Sequence, residues 1–172
     1  MNLRLTGKVA IVTGASRGIG RSIAQVLALE GMRLVLVARS QDQLNEVALP
    51  CQAESLVHVA DLRNPDEPDG VVTAAIKHYG QIDLLVNYAG ATKRSDFKTL
   101  LDAEWDDGFA LKFFGAMRLC RATWPHLKKQ MSVARFGEPE EIAHMVAFLA
   151  SPLADYCHGS IIDIDGGQTR TL

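Results

Sequence analysis

The chain has 172 residues, 48% of them hydrophobic and 22% charged, with a formal net charge of −2. That is enough apolar material to core one domain, which excludes a globally disordered chain. Its scattered basic residues exclude attraction to nucleic acid or to an anionic membrane by bulk charge, so a small-molecule partner is expected.

Lys8 to Val12 is an apolar run that predicts a strand, and Arg21 to Leu29 has the spacing of an amphipathic helix. Between them stands Thr13-Gly14-Ala15-Ser16-Arg17-Gly18-Ile19-Gly20. In a strand, turn and helix setting its glycines have separate tasks: a sharp turn, close approach of backbone to a phosphate, and close packing of helix on strand. Unpaired N–H groups at the helix start then hold the anion. For the motif alone, a tight turn without a ligand is the competing reading.

Gly31 stops the helix, and Met32 to Ala38 is the continuous apolar run of a strand buried on both faces. Gln41 to Leu49 predicts a short helix ended by Pro50, and Glu54 to Ala60 a third strand that delivers Asp61 and Leu62 at its C-terminal end. Asn64 to Gly70 reads as a turn, Val71 to Tyr79 as a helix closed by Gly80, and Ile82 to Val86 as a fourth strand ending in Asn87-Tyr88-Ala89-Gly90. Strands alternating with helices predict an α/β fold, a doubly wound parallel sheet of the Rossmann type, whose right-handed crossovers bring the C-terminal strand ends to one edge. Gly14 to Gly20, Ala38 to Ser40, Asp61-Leu62 and Asn87 to Gly90 all lie on that edge, so one crevice accounts for all these loops.

Leu100 to Lys129 is helical in character, with Trp105, Phe109, Phe113, Met117 and Leu119 as its apolar face and Pro125 as a kink or division. Pro139 starts a helix to about Ala150, in which Met145 to Ala150 reads as a packed face, and Ser160 to Gly167 closes the chain as strand and turn. Cys51, Cys120 and Cys157 lack C-x-x-C spacing and read as reduced, buried small hydrophobes. With no apolar segment near the ~18 residues that span a bilayer and no cleavable signal pattern, a cytoplasmic protein is expected. The five histidines lack metal-ligand spacing, and no catalytic metal is expected.

Together these landmarks resemble the short-chain dehydrogenase/reductase family. Its glycine motif corresponds to Thr13 to Gly20, its adenine-contacting Asp-hydrophobic pair to Asp61-Leu62, and its Asn-Asn-Ala-Gly motif, altered at Tyr88, to Asn87-Tyr88-Ala89-Gly90. The late Gly-x-Pro-Glu-Glu-Ile-Ala and Asp-Gly-Gly signatures correspond to Gly137 to Ala143 and Asp165-Gly166-Gly167. The resemblance implies a nicotinamide cofactor held by Gly14, Ser16, Arg17, Gly18, Ile19, Gly20, Arg39, Asp61, Leu62, Asn87, Ala89 and Gly90. It further implies hydride transfer to or from a carbonyl or alcohol substrate. The Leu100 to Lys129 helix resembles one used for oligomer contacts, which implies a homotetramer or homodimer.

Charge bears on the choice of cofactor. A member that prefers NAD usually places a carboxylate at the end of the second strand for the ribose 2′-OH, and here Ala38 is followed by Arg39. Arg39, with Arg17 on the other side, can form charge-assisted bonds to a 2′-phosphate, which favours NADP (NADPH) over NAD. Two solvated surface arginines are the alternative. Asp61 can also cap the next turn, and Asn87 can be a plain turn residue.

By the same resemblance, a Tyr-x-x-x-Lys pair and a serine at the end of a fifth strand carry the reaction, the lysine lowering a phenol pKa from ~10. Four residues on from Tyr79, Tyr88 and Tyr156 stand Asp83, Thr92 and Ser160, so no catalytic residue is assigned. In the family's order, two βα units of ~30 residues each and a loop belong between Gln130 and Met131. The single nucleotide-binding domain of residues 1–172 therefore reads as interrupted at 130/131, with a cofactor-binding part over 1–130 and a C-terminal helix and strand over 131–172. Either an internal segment is present in the intact protein, an NADP-dependent reductase, or the polypeptide is this short and is a catalytically inactive nucleotide-binding or interaction module. Lys112, seven residues after Trp105, stands where the family usually has an asparagine supporting the proton relay; a relay contribution and a plain surface lysine are both open.

Overall fold

The computed structural model describes residues 3–51, 54–91, 97–131, 138–157 and 162. The chain divides into two compact units, Met1–Leu127 and Lys128–Leu172. The first contains β1 (Val9–Thr13), α1 (Gly18–Leu29), β2 (Arg33–Ala38), α2 (Gln41–Ala48), β3 (Ser55–Val59), α3 (Glu67–Tyr79), β4 (Leu84–Val86), α4 (Asp102–Phe109), a π-helical segment (Ala110–Gly115) and the start of α5 (Ala116–Met131). The second contains α6 (Pro139–Leu149) and a 3₁₀ turn at Pro152–Ala154.

All strand pairs are parallel, in the order β3-β2-β1-β4, with Val9 beside Arg33, Leu34 beside Ser55 and Ala10 beside Leu84. Alternation along the strands sorts the core into two layers. Val9, Ile11, Val35 and Val37 pack with Val71, Val72 and Ala75 of α3 and with Leu111 and Leu119, whereas Ala10, Val12, Leu34 and Leu36 pack with Ala24, Leu44 and Val47 of α1 and α2. This is the doubly wound α/β sheet expected from the sequence.

Several local expectations are corrected. Helix α3 begins at Glu67, inside the segment read as a turn: Pro68 suits a first helical turn, and Glu67 and Asp69 lie at the positive end of the helix dipole. Pro125 does not divide α5, and the irregularity falls instead at the π-helical Ala110–Gly115. The packed face of this region is Gly108, Leu111, Gly115, Leu119 and Thr123, while Trp105, Phe109, Phe113 and Met117 are exposed. Gly115 shows the reason. A Cβ there would stand 2.7 Å from the Leu62 carbonyl oxygen, so the face that docks combines glycine with Leu111 and the expected Leu119, and leaves the aromatic side chains outside. In α6 no residue is buried, and Ile142, Val146 and Phe148 are exposed, so Met145 to Ala150 is not a packed face among the described residues. Cys120 and Cys157 are exposed and Cys51 is half-buried, against the buried positions expected. Gly137, most of Ser160 to Gly167, and with it Asp165-Gly166-Gly167, lie outside the described residues.

Candidate functional site

The site is built around the end of β1. Thr13 is 1% exposed, and its hydroxyl donates to the Val86 carbonyl at 3.2 Å while accepting the N–H groups of Tyr88 and Ala89, each at 3.0 Å. One side chain thus ties the loop after β4 to the strand beside it. Gly14 follows with φ +65°, and a Cβ on it would stand 2.9 Å from the Tyr88 carbonyl oxygen. Gly20, in the first turn of α1, rests on Gly14: a Cβ there would run into the Gly14 carbonyl and come within 3.1 Å of Tyr88 Cδ1. Both glycines serve close approach of backbone to backbone. Helical pairing at this end of α1 begins with the Arg21 N–H donating to the Arg17 carbonyl at 3.3 Å, so the N–H groups before it are the orphan donors of a helix start.

Four strand ends meet at a cavity of about 280 Å³, near the lower end of the ~300–1,000 Å³ usual for small-molecule sites. Of the residues singled out in the sequence, Gly14, Ser16, Arg17, Arg39, Asp61, Leu62, Ala89 and Gly90 line it. Gly18 and Ile19 are exposed at the start of α1, and Gly20 stands behind the lining against Gly14. Asn87 lies off the wall, its amide donating to Cys120 Sγ at 3.1 Å. Lys112 is exposed on the π-helical segment and crosses Gly90, where a Cβ would be 3.2 Å from Lys112 Cε.

Asp61 performs the local turn role: its Oδ1 accepts the Arg63 N–H at 3.1 Å, and its carbonyl accepts the Asn64 N–H at 2.9 Å. Its carboxylate also meets Arg63 Nη1, 3.2 Å from each oxygen. Arg63 reaches Asp107 of α4 as well, with Nε 2.6 Å from Oδ1 and Nη2 3.2 Å from Oδ2. Burial of Arg63 works against its charge, but the hydrogen bond to Asp107 and the charges of Asp61 and Asp107 outweigh it and hold the guanidinium above its ordinary pKa.

Ser40 and Tyr88, placed by the sequence in loops of the crevice but not among the cofactor-holding residues, stand on the cavity wall, and sequence reasoning missed Leu111 and Gln43 there. Ser40 carried a readable signal, a serine just before a helix, and its Oγ accepts the Gln43 N–H at 3.5 Å. Tyr79 cannot take the place of the absent catalytic tyrosine. It is 9% exposed, its hydroxyl lies 3.2 Å from the Leu34 carbonyl and 3.1 Å from that of Glu54, and burial, followed by the charge of Glu54, pushes its pKa up to about 12. Among the described residues no three His, Cys, Asp or Glu side chains gather as a metal site, and no helix is long and apolar enough to cross a membrane.

Against known families, the profile described as short chain dehydrogenase matches residues 8–134, which include the sheet and every loop of the cavity. The chain belongs to the short-chain dehydrogenase/reductase family. A second family profile, described as enoyl-(acyl carrier protein) reductase, matches residues 126–169. An uncharacterized oxidoreductase of Staphylococcus epidermidis is 38% identical over 125 residues, covering 73% of this chain and 54% of the relative. A metagenomic short-chain oxidoreductase solved in complex with NADP is 36% identical, with a TM-score of 0.69 over 74% of this chain and 59% of its own. A short-chain dehydrogenase/reductase from Burkholderia phymatum solved in complex with NAD is 28% identical, with a TM-score of 0.70 over 76% of this chain and 47% of its own. The chain thus spans about half the length of the curated relatives it matches.

Proposed function

We propose that this chain binds NADP(H) and that the intact protein is an oxidoreductase transferring hydride between NADPH and a carbonyl or alcohol substrate. The observation that carries this reading is the pairing of Arg17 and Arg39 on the wall of one cavity with Gly14, beside a β2 end where Ala38 stands instead of a carboxylate. The residues fit the group. Gly14 and Gly20, where a side chain would strike the Tyr88 or Gly14 carbonyl, keep the first loop tight, α1 offers unpaired N–H groups to a diphosphate, and two guanidinium groups suit a 2′-phosphate. Asp61 would accept from the adenine amino group. When bound, the nicotinamide supplies the hydride chemistry, and the protein's part is to orient it and keep it in place.

The solved relatives bind either nicotinamide form, so the two arginines carry the preference. We further propose a cytoplasmic homo-oligomer: free, exposed Cys120 and Cys157 suit a reducing compartment, and Trp105, Phe109 and Phe113 expose apolar area that a second copy would cover. A second reading, nucleotide binding without turnover, is favoured for these 172 residues by themselves, because no Tyr-x-x-x-Lys pair is present and Tyr79 is committed to the core. Fluorescence titration with NADPH and NADH tests the first reading. Arg39→Asp is expected to weaken NADPH binding about 10- to 100-fold, the value of a charge-assisted bond, and to move the preference towards NADH. Unchanged NADPH affinity in that variant would remove the basis for NADP.

A further inference from the structure

We propose that Arg63 is a positioning residue for the Asp61 carboxylate and that Asp107 anchors it, so that recognition of the cofactor's adenine amino group depends on the seating of α4. The inference rests on the nucleotide reading of the cavity. Asp61 stands on the cavity wall, and its carboxylate pairs with Arg63 two residues on. Arg63 Nη1 is 3.2 Å from both Asp61 oxygens, while Nη2 donates to Asp107 Oδ2 at 3.2 Å and Nε lies 2.6 Å from Oδ1 as an ion-pair contact without hydrogen-bond geometry. One planar guanidinium therefore bridges two carboxylates, which the single ammonium of a lysine does not reproduce.

Lone-pair counting gives this arrangement a consequence at the cavity. Oδ1 already accepts the Arg63 N–H and Nη1, whereas Oδ2 accepts Nη1 alone and keeps acceptor capacity for an exocyclic amine. Tilting the carboxylate out of its plane would turn the free lone pairs away from that amine, and the paired contacts from Arg63 Nη1 oppose the tilt. A second contact acts in the same direction: the Leu62 carbonyl seats against Gly115, so the loop packs directly on the π-helical segment after α4.

The test uses the whole chain, NADPH, and the NADPH analogue in which hypoxanthine replaces adenine, its carbonyl standing where the amino donor was. The parent is expected to prefer NADPH by about tenfold or more, the value of a hydrogen bond to a charged acceptor. Arg63→Lys and Asp107→Ala are each expected to reduce that preference to about a third or less of the parental ratio, with affinity for the hypoxanthine form held within about twofold. A purely structural role would lower both affinities together and leave the ratio alone. Asp107 is exposed and alanine suits a helix, so the second variant carries the test even where the first is unstable. A parental ratio in Arg63→Lys overturns the proposal, and a parental ratio in Asp107→Ala overturns the part given to α4. A parent that binds both forms equally overturns the proposal while the NADP(H) reading stands. A parent that binds neither overturns both.

Discussion

Replacing Thr13 by valine keeps the volume of the side chain and removes only its hydroxyl, at a residue 1% exposed. Three hydrogen bonds disappear at once: one donated to Val86 at 3.2 Å, and two accepted from Tyr88 and Ala89 at 3.0 Å. A net intramolecular hydrogen bond is worth about 1 kcal/mol, and a buried donor left without a partner costs about 1–3 kcal/mol. Tyr88 is itself partly exposed, so water can reach part of what is lost and the lower figures apply. The total expected is about 2–3 kcal/mol, or roughly 5–10 °C in Tm for a chain of this size. Urea unfolding of the parent, Thr13→Val and Thr13→Ser provides the comparison, because serine restores the hydroxyl without the methyl group. NADPH affinity should fall in the valine variant and return in the serine one, since the loop tied by Thr13 forms one wall of the cavity. If Thr13→Val unfolds within about 0.5 kcal/mol of the parent, the hydroxyl is not what holds this loop to β1.

Gly20→Ala sets two effects against each other: alanine gains about 1 kcal/mol in helix propensity, while its Cβ meets the Gly14 carbonyl in a contact that costs about 1–3 kcal/mol or more to relieve. The clash should win, giving a less stable chain with weaker NADPH binding, and a variant more stable than the parent would show that the backbone contact yields freely. Tyr79 gives a prediction in pH. Its folded pKa of about 12 lies above the ordinary 10.0, so the stability it contributes is complete below pH 10 and is lost as the pH rises through 12. Tyr79→Phe should cost about 1 kcal/mol at neutral pH and flatten that alkaline decline; an equally steep decline in the variant would assign it to other groups.

Strands β1 and β2 were legible because a parallel strand covered on both faces needs an unbroken apolar run, and Val9 to Val12 and Leu34 to Val37 are such runs. The cavity-lining loops followed from topology, since right-handed crossovers leave the strand ends on one edge. Helical faces were harder to read. Trp105, Phe109 and Phe113 repeat at core-like spacing yet point outwards, because on the opposite side Gly108 is buried and Gly115 lets backbone approach the Leu62 carbonyl. Composition rewards large apolar residues and has no way to register a contact made by a missing side chain. The π-helical segment left no pattern either, as one wide turn shifts a face without changing its residues. Arg63 and Asp107 are 44 positions apart, and only the folded chain brings a turn after β3 against α4.

The central claim is that these loops hold NADP(H), and amide chemical-shift mapping of the isotope-labelled chain during NADPH titration tests it most directly. The account predicts saturable shifts concentrated at Gly14 to Gly20, Arg39-Ser40, Asp61-Leu62 and Tyr88 to Gly90, with NADH producing weaker effects around Arg39. Shifts confined to other parts of the chain, or none at millimolar NADPH, would contradict it.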